Sequence, residues 1–403
     1  MSLAQRVTRI QPSPSTAAAQ RVRELRTGGV RIVDLTVGEP DFDTPEHVKT
    51  AAVAAIRRGD TKYTPVNGVP ELRQAIAAKL ARRHGLAIPE ADIAVGGGAK
   101  QVIFLALMAT LDRGDEVIVP APHWVSYPDM VLANDGTPVV VPCPAGRGFK
   151  LTAAALRAAV TPRTRWLVLN SPGNPTGASY TPAELRELAG VLSDHPHVRV
   201  LTDEIYDEIR YEPGPPTTLT QVAPELADRV LLTNGVSKTY AMTGWRIGWG
   251  AGAPDVVAAI NKLQSQISSC PSSISQAAAV AALTGPQDFV EETVAAYRAR
   301  RDRTVKLIDE VPLLSCTPPD GGFYLFASCA RAFGHRTPGG TTIRTDADFA
   351  RYLLEAEQVA VIHGEAYGSP GYFRVSFATS DDVLAEACTR IARACAALTP
   401  EPS

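Results

Sequence analysis

Along the chain, short apolar runs alternate with stretches whose apolar positions recur at the 3.6-residue period of a helix. The runs Ile93 to Val95, Glu116 to Val119, Val139 to Val141, Trp166 to Leu169, Val198 to Leu201 and Val230 to Thr233 read as strands buried on both faces. Between them, Glu71 to His84 and Pro182 to Leu192 have helical periodicity, Gly85 stands where a C-cap is needed, and another helix is predicted to start near Lys100. This rhythm predicts an α/β fold with a mostly parallel sheet covered by helices. Beyond about residue 290 the character changes. The long polar stretch "DFVEETVAAYRARRDRTVKLIDE" precedes strand-like "GGFYLFASC" and "GYFRVSFATS" and a final helix from Asp381 to Leu398, which together predict a smaller α+β unit. The tail "TPEPS" is expected to fray.

A chain of 403 residues is too long for one simple core and predicts a large unit with a smaller partner, with material for a deep cleft. Forty Lys and Arg against forty-two Asp and Glu leave a net charge of −2, and no basic block could track a phosphate backbone, so nucleic acid is not an expected partner. The six cysteines are scattered, without a CxxC pair or a histidine at metal-ligand spacing, and read as reduced structural thiols with no metal site. Arginines interrupt the N-terminal segment where a signal peptide needs its apolar core, and runs such as "AAAVAAL" are too short to span a bilayer. A cytoplasmic protein without a membrane partner is the expectation.

The polar residues collect where ligands bind in such sheets, beyond the carboxyl ends of the strands. After Ile93 to Val95 comes "GGGAK", a turn whose free N–H groups can cradle a phosphate. After Trp166 to Leu169, Asn174 stands between Pro172 and Pro175; after Val198 to Leu201 come Asp203 and Tyr206; after Val230 to Thr233 come Ser237 and Lys238, with Arg246 eight residues on. Each has a plainer reading: a tight turn, a helix N-cap, a solvated lysine. A lysine just past a buried strand, however, borders a partly dry pocket, where desolvation frees its amine as a nucleophile. Together these strand ends offer what pyridoxal 5′-phosphate needs: an amine for its aldehyde, a carboxylate for its ring nitrogen, an amide and a phenol for its phenolate oxygen, and N–H groups, Ser and Arg for its phosphate.

The same residues carry a family resemblance. "SKTYAMTGWRIGW", "NSPGNPTG", "DEIY", "GEPDFDTP", "KYTPVNGVPELR", "PHWVSYP" and "FRVSFATS" resemble the motifs of class I aminotransferases, fold type I of the pyridoxal phosphate enzymes, and are most similar to the bacterial aspartate and aspartate/prephenate branch. The resemblance covers nearly the whole chain. It implies an N-terminal arm and first part of the small domain at 1–44, a large cofactor domain at 45–292, a small C-terminal domain at 293–403, and a homodimer with shared active sites. It further implies that Lys238 forms the covalent link and shuttles the substrate Cα proton. Asp203 would pair with the ring nitrogen, Tyr206 and Asn174 with the phenolate oxygen, and Trp124 would stack on the ring. Gly98, Ala99 and Lys100, Ser237 and Arg246 would take the phosphate, with Tyr63 reaching it from the second subunit. Arg374 would clamp the substrate α-carboxylate, assisted by Asn174 and the Gly38 backbone.

For the substrate side chain the resemblance implies Lys100 and Trp124 as partners of a distal carboxylate, hence aspartate as donor and 2-oxoglutarate as acceptor. The alternative arginine is absent from "SQISSCPSS". Gln11-Pro12-Ser13 stands where relatives have "KPS", and Leu105 where they can carry a polar residue, so looser selectivity is expected. Prephenate, aromatic or alanine-type specificity, or a β-lyase or cyclase reaction, are the alternatives. A regulator built on this fold would need an added DNA-binding module, for which the motifs, beginning within the first forty residues, leave no room.

Overall fold

The apolar runs form one seven-stranded sheet in the order Ile93–Gly96, Gly248–Ala251, Val230–Gly235, Arg199–Asp203, Thr164–Asn170, Glu116–Ala121, Thr137–Pro142. A computed structural model describes residues 3–401 other than Pro215, and the backbone alone of Ser15. Neighbouring strands run parallel except at Gly248–Ala251, which is antiparallel to both its neighbours. The inner strands are buried on both faces, which is why they read as continuous apolar runs; only the edge strand Thr137–Pro142 is largely exposed. Successive side chains feed opposite layers. Val117, Val119, Trp166, Val168 and Leu201 meet Val102, Ile103 and Ala106 of helix Ala99–Thr110 and Val256, Val257 and Ile260 of helix Pro254–Ile267. Ile118, Leu167, Leu169 and Val200 meet Leu185, Leu188 and Leu192 of helix Pro182–Ser193.

The strand Gly248–Ala251 has no apolar run to announce it, and the packing supplies the reason. A Cβ on Gly248 would lie 2.2 Å from the Ala99 nitrogen, and one on Gly250 2.8 Å from Val102 Cγ1. Glycine there lets helix Ala99–Thr110 press against the sheet. Helix Pro70–His84 ends as expected, at Gly85 with φ of 64°.

The second unit is a four-stranded antiparallel sheet in the order Ile362–His363, Tyr372–Ser376, Tyr324–Ser328, Ser315–Cys316. Helices Asp288–Asp309, Asp346–Glu357 and Asp381–Ala396 share its core, which centres on Phe323, Phe349, Phe373 and Phe377. Val33–Asp34 pairs parallel with Val359–Ala360, so the N-terminal segment joins this unit. The same core includes Tyr206, Ile209 and Tyr211 from the large sheet's side. Within the tail expected to fray, Thr399–Pro400 instead pairs with His335–Arg336, satisfying backbone groups that would otherwise be loose, while Pro402 and Ser403 of that tail lie outside the described residues. Met1, Ser2, Pro402 and Ser403, the ends of the outer expected units, lie outside the described residues. Among the described residues no helix is long and apolar enough to cross a membrane.

Candidate active site

Asn170, Asp203 and Thr233 are cross-strand neighbours, so the loops that follow them open on one edge of the sheet. A cavity of about 250 Å³ lies there, lined by Gly38, Ala99, Lys100, Trp124, Asn174, Asp203, Tyr206, Ser237, Lys238, Arg246 and Arg374, with Thr36, Ile103, Tyr127, Asn170, Ile205, Thr243 and Tyr324. Of the residues that the sequence predicts for the site, Gly98 sits behind the lining as the N-cap of helix Ala99–Thr110. Tyr63 is not brought to the cavity at all; it is 89% exposed on this chain. Leu105 does not face the cavity either. It is buried in the core two positions past Ile103, on a different helical face.

Lys238 Nζ donates to the Gly38 carbonyl at 2.5 Å. Burial lowers its pKa to about 8, with Glu39 opposing and Arg374 and Arg246 reinforcing the shift. The amine can therefore lose its proton near neutral pH. Asp203 is 5% exposed. Burial raises its carboxyl to about 6 even though Oδ2 accepts a 2.6 Å bond from Tyr127 Oη and Oδ1 a 3.3 Å bond from the Ile205 amide. Tyr127 went unrecognised in the sequence because a phenol among apolar helix residues reads as core; its only signal is its place three residues after Trp124. Trp124 packs edge-on against it, at 5.3 Å and 84°.

Tyr206 Oη lies 3.2 Å from Tyr324 Oη, and burial raises both phenols, which remain protonated and able to donate. Arg374 is 2% exposed, yet its guanidinium meets an amide oxygen, a carbonyl and two aromatic rings rather than a carboxylate. Nη1 donates to Asn174 Oδ1 at 3.2 Å, Nη2 to the Thr36 carbonyl at 2.6 Å, and the group lies 4.3 Å from the Tyr324 ring centre. Its Nε is buried without a partner among the described residues. Such a cation calls for an anion from outside. Asn170 ties this side together, accepting from the Asn174 amide and donating to the Asp203 carbonyl, both at 2.8 Å.

The opposite end of the cavity is suited to a second anion. Helix Ala99–Thr110 begins with no side-chain cap, leaving amino-terminal N–H groups for a ligand. Arg246, in the left-handed region at φ of 57°, is braced by bonds to the Thr243 and Gly97 carbonyls at 2.8 and 3.3 Å. Gly98 is at φ of 97°, and a Cβ on it would lie 2.3 Å from Arg246 Nη2; only glycine leaves this cradle open. Lys100 Nζ stands 4.5 Å from the Trp124 ring centre and donates to Ser126 Oγ at 3.3 Å, with burial and then Arg246 lowering its pKa.

The chain is similar to known proteins over nearly its full length. The family model described as aminotransferase class I and II matches residues 30–391. The probable aspartate/prephenate aminotransferase of Rickettsia felis is 48% identical over 398 residues, 99% of this chain and 97% of that protein. The crystal structure of the aspartate aminotransferase of Rhizobium meliloti is 49% identical with a TM-score of 0.97, covering 99% of this chain and 100% of that one. The aspartate aminotransferase of Thermus thermophilus, solved with maleate, is 40% identical with a TM-score of 0.90, covering 98% and 100%.

Proposed function

The chain belongs to the class I and II aminotransferases, and from that premise we propose that it moves an amino group from L-aspartate to 2-oxoglutarate by a ping-pong mechanism, using pyridoxal 5′-phosphate in a cytoplasmic homodimer. The observation that carries this reading is one cavity holding a buried amine of lowered pKa, a buried carboxylate and a buried arginine that lacks an acid partner. The donor set fits the cofactor. The open cradle at Gly98 and the uncapped helix end suit its phosphate, and the unpaired Arg374 Nε suits a substrate carboxylate.

When bound, pyridoxal phosphate supplies an aldehyde that condenses with amines and a ring that accepts the electron pair freed at the substrate Cα. The backbone N–H groups of Ala99 and Lys100, with Ser237 and Arg246, would hold the phosphate, whereas the Gly98 N–H already donates to the Gly96 carbonyl at 2.8 Å and Gly98 contributes the open turn instead. Trp124 covers a ring face. Asp203 holds a proton on the ring nitrogen, and a cation so placed favours the carboxylate that burial alone disfavours. Tyr206 and Asn174 donate to the phenolate oxygen. Arg374, with Asn174 and the Gly38 backbone, orients the α-carboxylate. Lys238 Nζ, with its lowered pKa, would be the base that takes the proton from the substrate Cα. Tyr63, exposed on this chain, serves the second subunit's phosphate.

Lys100 is the residue we assign to the distal carboxylate. Its neighbours are a hydroxyl, an indole face and a second cation, so a dicarboxylic substrate supplies the missing counter-charge; maleate in the Thermus thermophilus structure is such a molecule. Prephenate as acceptor is the second reading, favoured by the name of the Rickettsia felis relative. A panel of amino donors and oxo acids tests both. In Lys100→Ala, loss of one charge-assisted bond of about 1.5–3 kcal/mol is expected to lower kcat/KM for aspartate roughly 10- to 150-fold while sparing alanine. Equal losses for the two donors would confine Lys100 to the phosphate turn.

A further inference from the structure

The turn that follows strand Arg199–Asp203 has two faces. Asp203 and Tyr206 line the cavity, whereas Glu204 and Asp207, 5% and 1% exposed, are buried away from it. There the carboxyl-terminal half of helix Pro70–His84 meets them. Lys79, itself 2% exposed, places Nζ 2.6 Å from Asp207 Oδ2 and 3.3 Å from Glu208 Oε1. His84 Nε2 lies 3.3 Å from Asp207 Oδ2 and 4.0 Å from Glu204 Oε2, and Arg83 Nη2 lies 2.6 Å from Glu208 Oε2.

Apolar side chains could hold a helix against a sheet at least as firmly, because burying ions carries a desolvation cost. What charge-assisted bonds add is direction. We propose that the buried cluster of Lys79, His84, Glu204 and Asp207, closed at its rim by Arg83 and Glu208, is a positioning device that fixes the turn presenting Asp203 and Tyr206 to the cofactor. The proposal rests on the cofactor reading above. Asp203 and Glu204, and Tyr206 and Asp207, are adjacent residues. The turn between them is stiff: the Asp207 amide bonds the Glu204 carbonyl at 3.0 Å, the Ile209 amide the Tyr206 carbonyl at 2.9 Å, and the Glu204 amide the Thr233 carbonyl at 2.9 Å. A shift of Asp207 therefore carries the cavity face with it. The helix end is anchored in turn, since Gln221 Nε2 bonds the His84 carbonyl at 2.5 Å. Burial raises the Glu204 carboxyl well above its usual range. Burial acts the same way on Asp207, but Lys79 and His84 outweigh it and hold that carboxyl below its usual value. The ion pairs are Lys79 with Asp207 and Arg83 with Glu208.

The test compares holoenzymes. In Lys79→Met/Asp207→Leu the pair gives way to apolar side chains of similar length, a replacement that folds tolerate. The thermal midpoint is expected to stay near that of wild type. The proposal predicts that kcat falls about tenfold with KM for aspartate little changed, that cofactor Kd rises about tenfold, and that the pH midpoint of the bound cofactor's visible absorption moves. Wild-type kcat, cofactor Kd and absorption midpoint in the folded double variant overturn it. Should that variant not fold, Glu208→Gln, which keeps the Lys79–Asp207 bond, decides: a smaller movement of the absorption midpoint supports the proposal, and an unmoved midpoint overturns it. A colourless, inactive wild-type protein counts instead against the cofactor reading, before any variant is made.

Discussion

A lysine whose amine titrates near 8 rather than at its ordinary 10.5 behaves as a reagent. The sign is direct: the neutral amine is the nucleophile, so the rate at which the cofactor-free protein captures pyridoxal phosphate is expected to rise with pH through about 8 and level off above it. A rise centred near the ordinary lysine value would show that burial does not tune Lys238. Tyr127 gives a second expectation at this scale. Its hydroxyl donates to Asp203 at 2.6 Å, a bond to a charged group that contributes about 1.5–3 kcal/mol when the carboxylate must be ionised. Tyr127→Phe is expected to lower kcat by roughly 10- to 150-fold and leave KM for aspartate near wild type; single-turnover rates with aspartate measure it. The site was legible in the residues that break a plain local reading, such as a lysine past a buried strand and an arginine inside an apolar run. Tyr127, Asn170, Thr36 and Tyr324 were not, because hydrogen bonds between groups far apart in the chain, whether of side chain or backbone, leave no mark on local periodicity.

Elements were legible where their burial is uniform. The parallel strands and the helices Pro70–His84, Pro182–Ser193 and Asp288–Asp309 fall within a few residues of the sequence expectation, since apolar runs and 3.6-residue stripes follow directly from two-sided and one-sided burial. Gly248–Ala251 escaped because its small residues answer to the helix lying on it. The same close approach governs the turn at Gly98. Gly98→Ala adds a methyl 2.3 Å from Arg246 Nη2 at a backbone φ of 97°, a conformation that costs an ordinary residue about 1–3 kcal/mol. The fold is expected to survive with Arg246 displaced, and the cofactor Kd, followed by absorbance titration, to rise by about tenfold or more; an unchanged Kd would detach this turn from phosphate binding. The buried pair beneath the site predicts a stability effect at the same scale. Lys79→Met alone strands Asp207 without its cation, and is expected to lower unfolding free energy by about 3–5 kcal/mol in urea melts, more than the double replacement does.

For the whole molecule, the cavity joins both units. Lys238 and Asp203 come from the large sheet, Arg374 from the small one, and Gly38 from the N-terminal segment that pairs with the small unit through Val33–Asp34. An 89% exposed Tyr63 on a segment held by buried Gln264 and Gln276 is fixed in place yet unused within its own chain. The active species is therefore expected to sediment as a dimer, and a fully active monomer would contradict the assignment of Tyr63. The central claim concerns Lys238, which is asked both to hold the cofactor and to move the Cα proton. Replacing it by alanine would remove both roles and spare the phosphate, ring and carboxylate contacts proposed for the other residues. The most direct measurement is the absorption spectrum of the purified Lys238→Ala protein before and after addition of aspartate and 2-oxoglutarate, read alongside turnover. The account predicts that pyridoxal phosphate still binds, without its covalent link, and that catalytic turnover is abolished; normal turnover by this variant would contradict it.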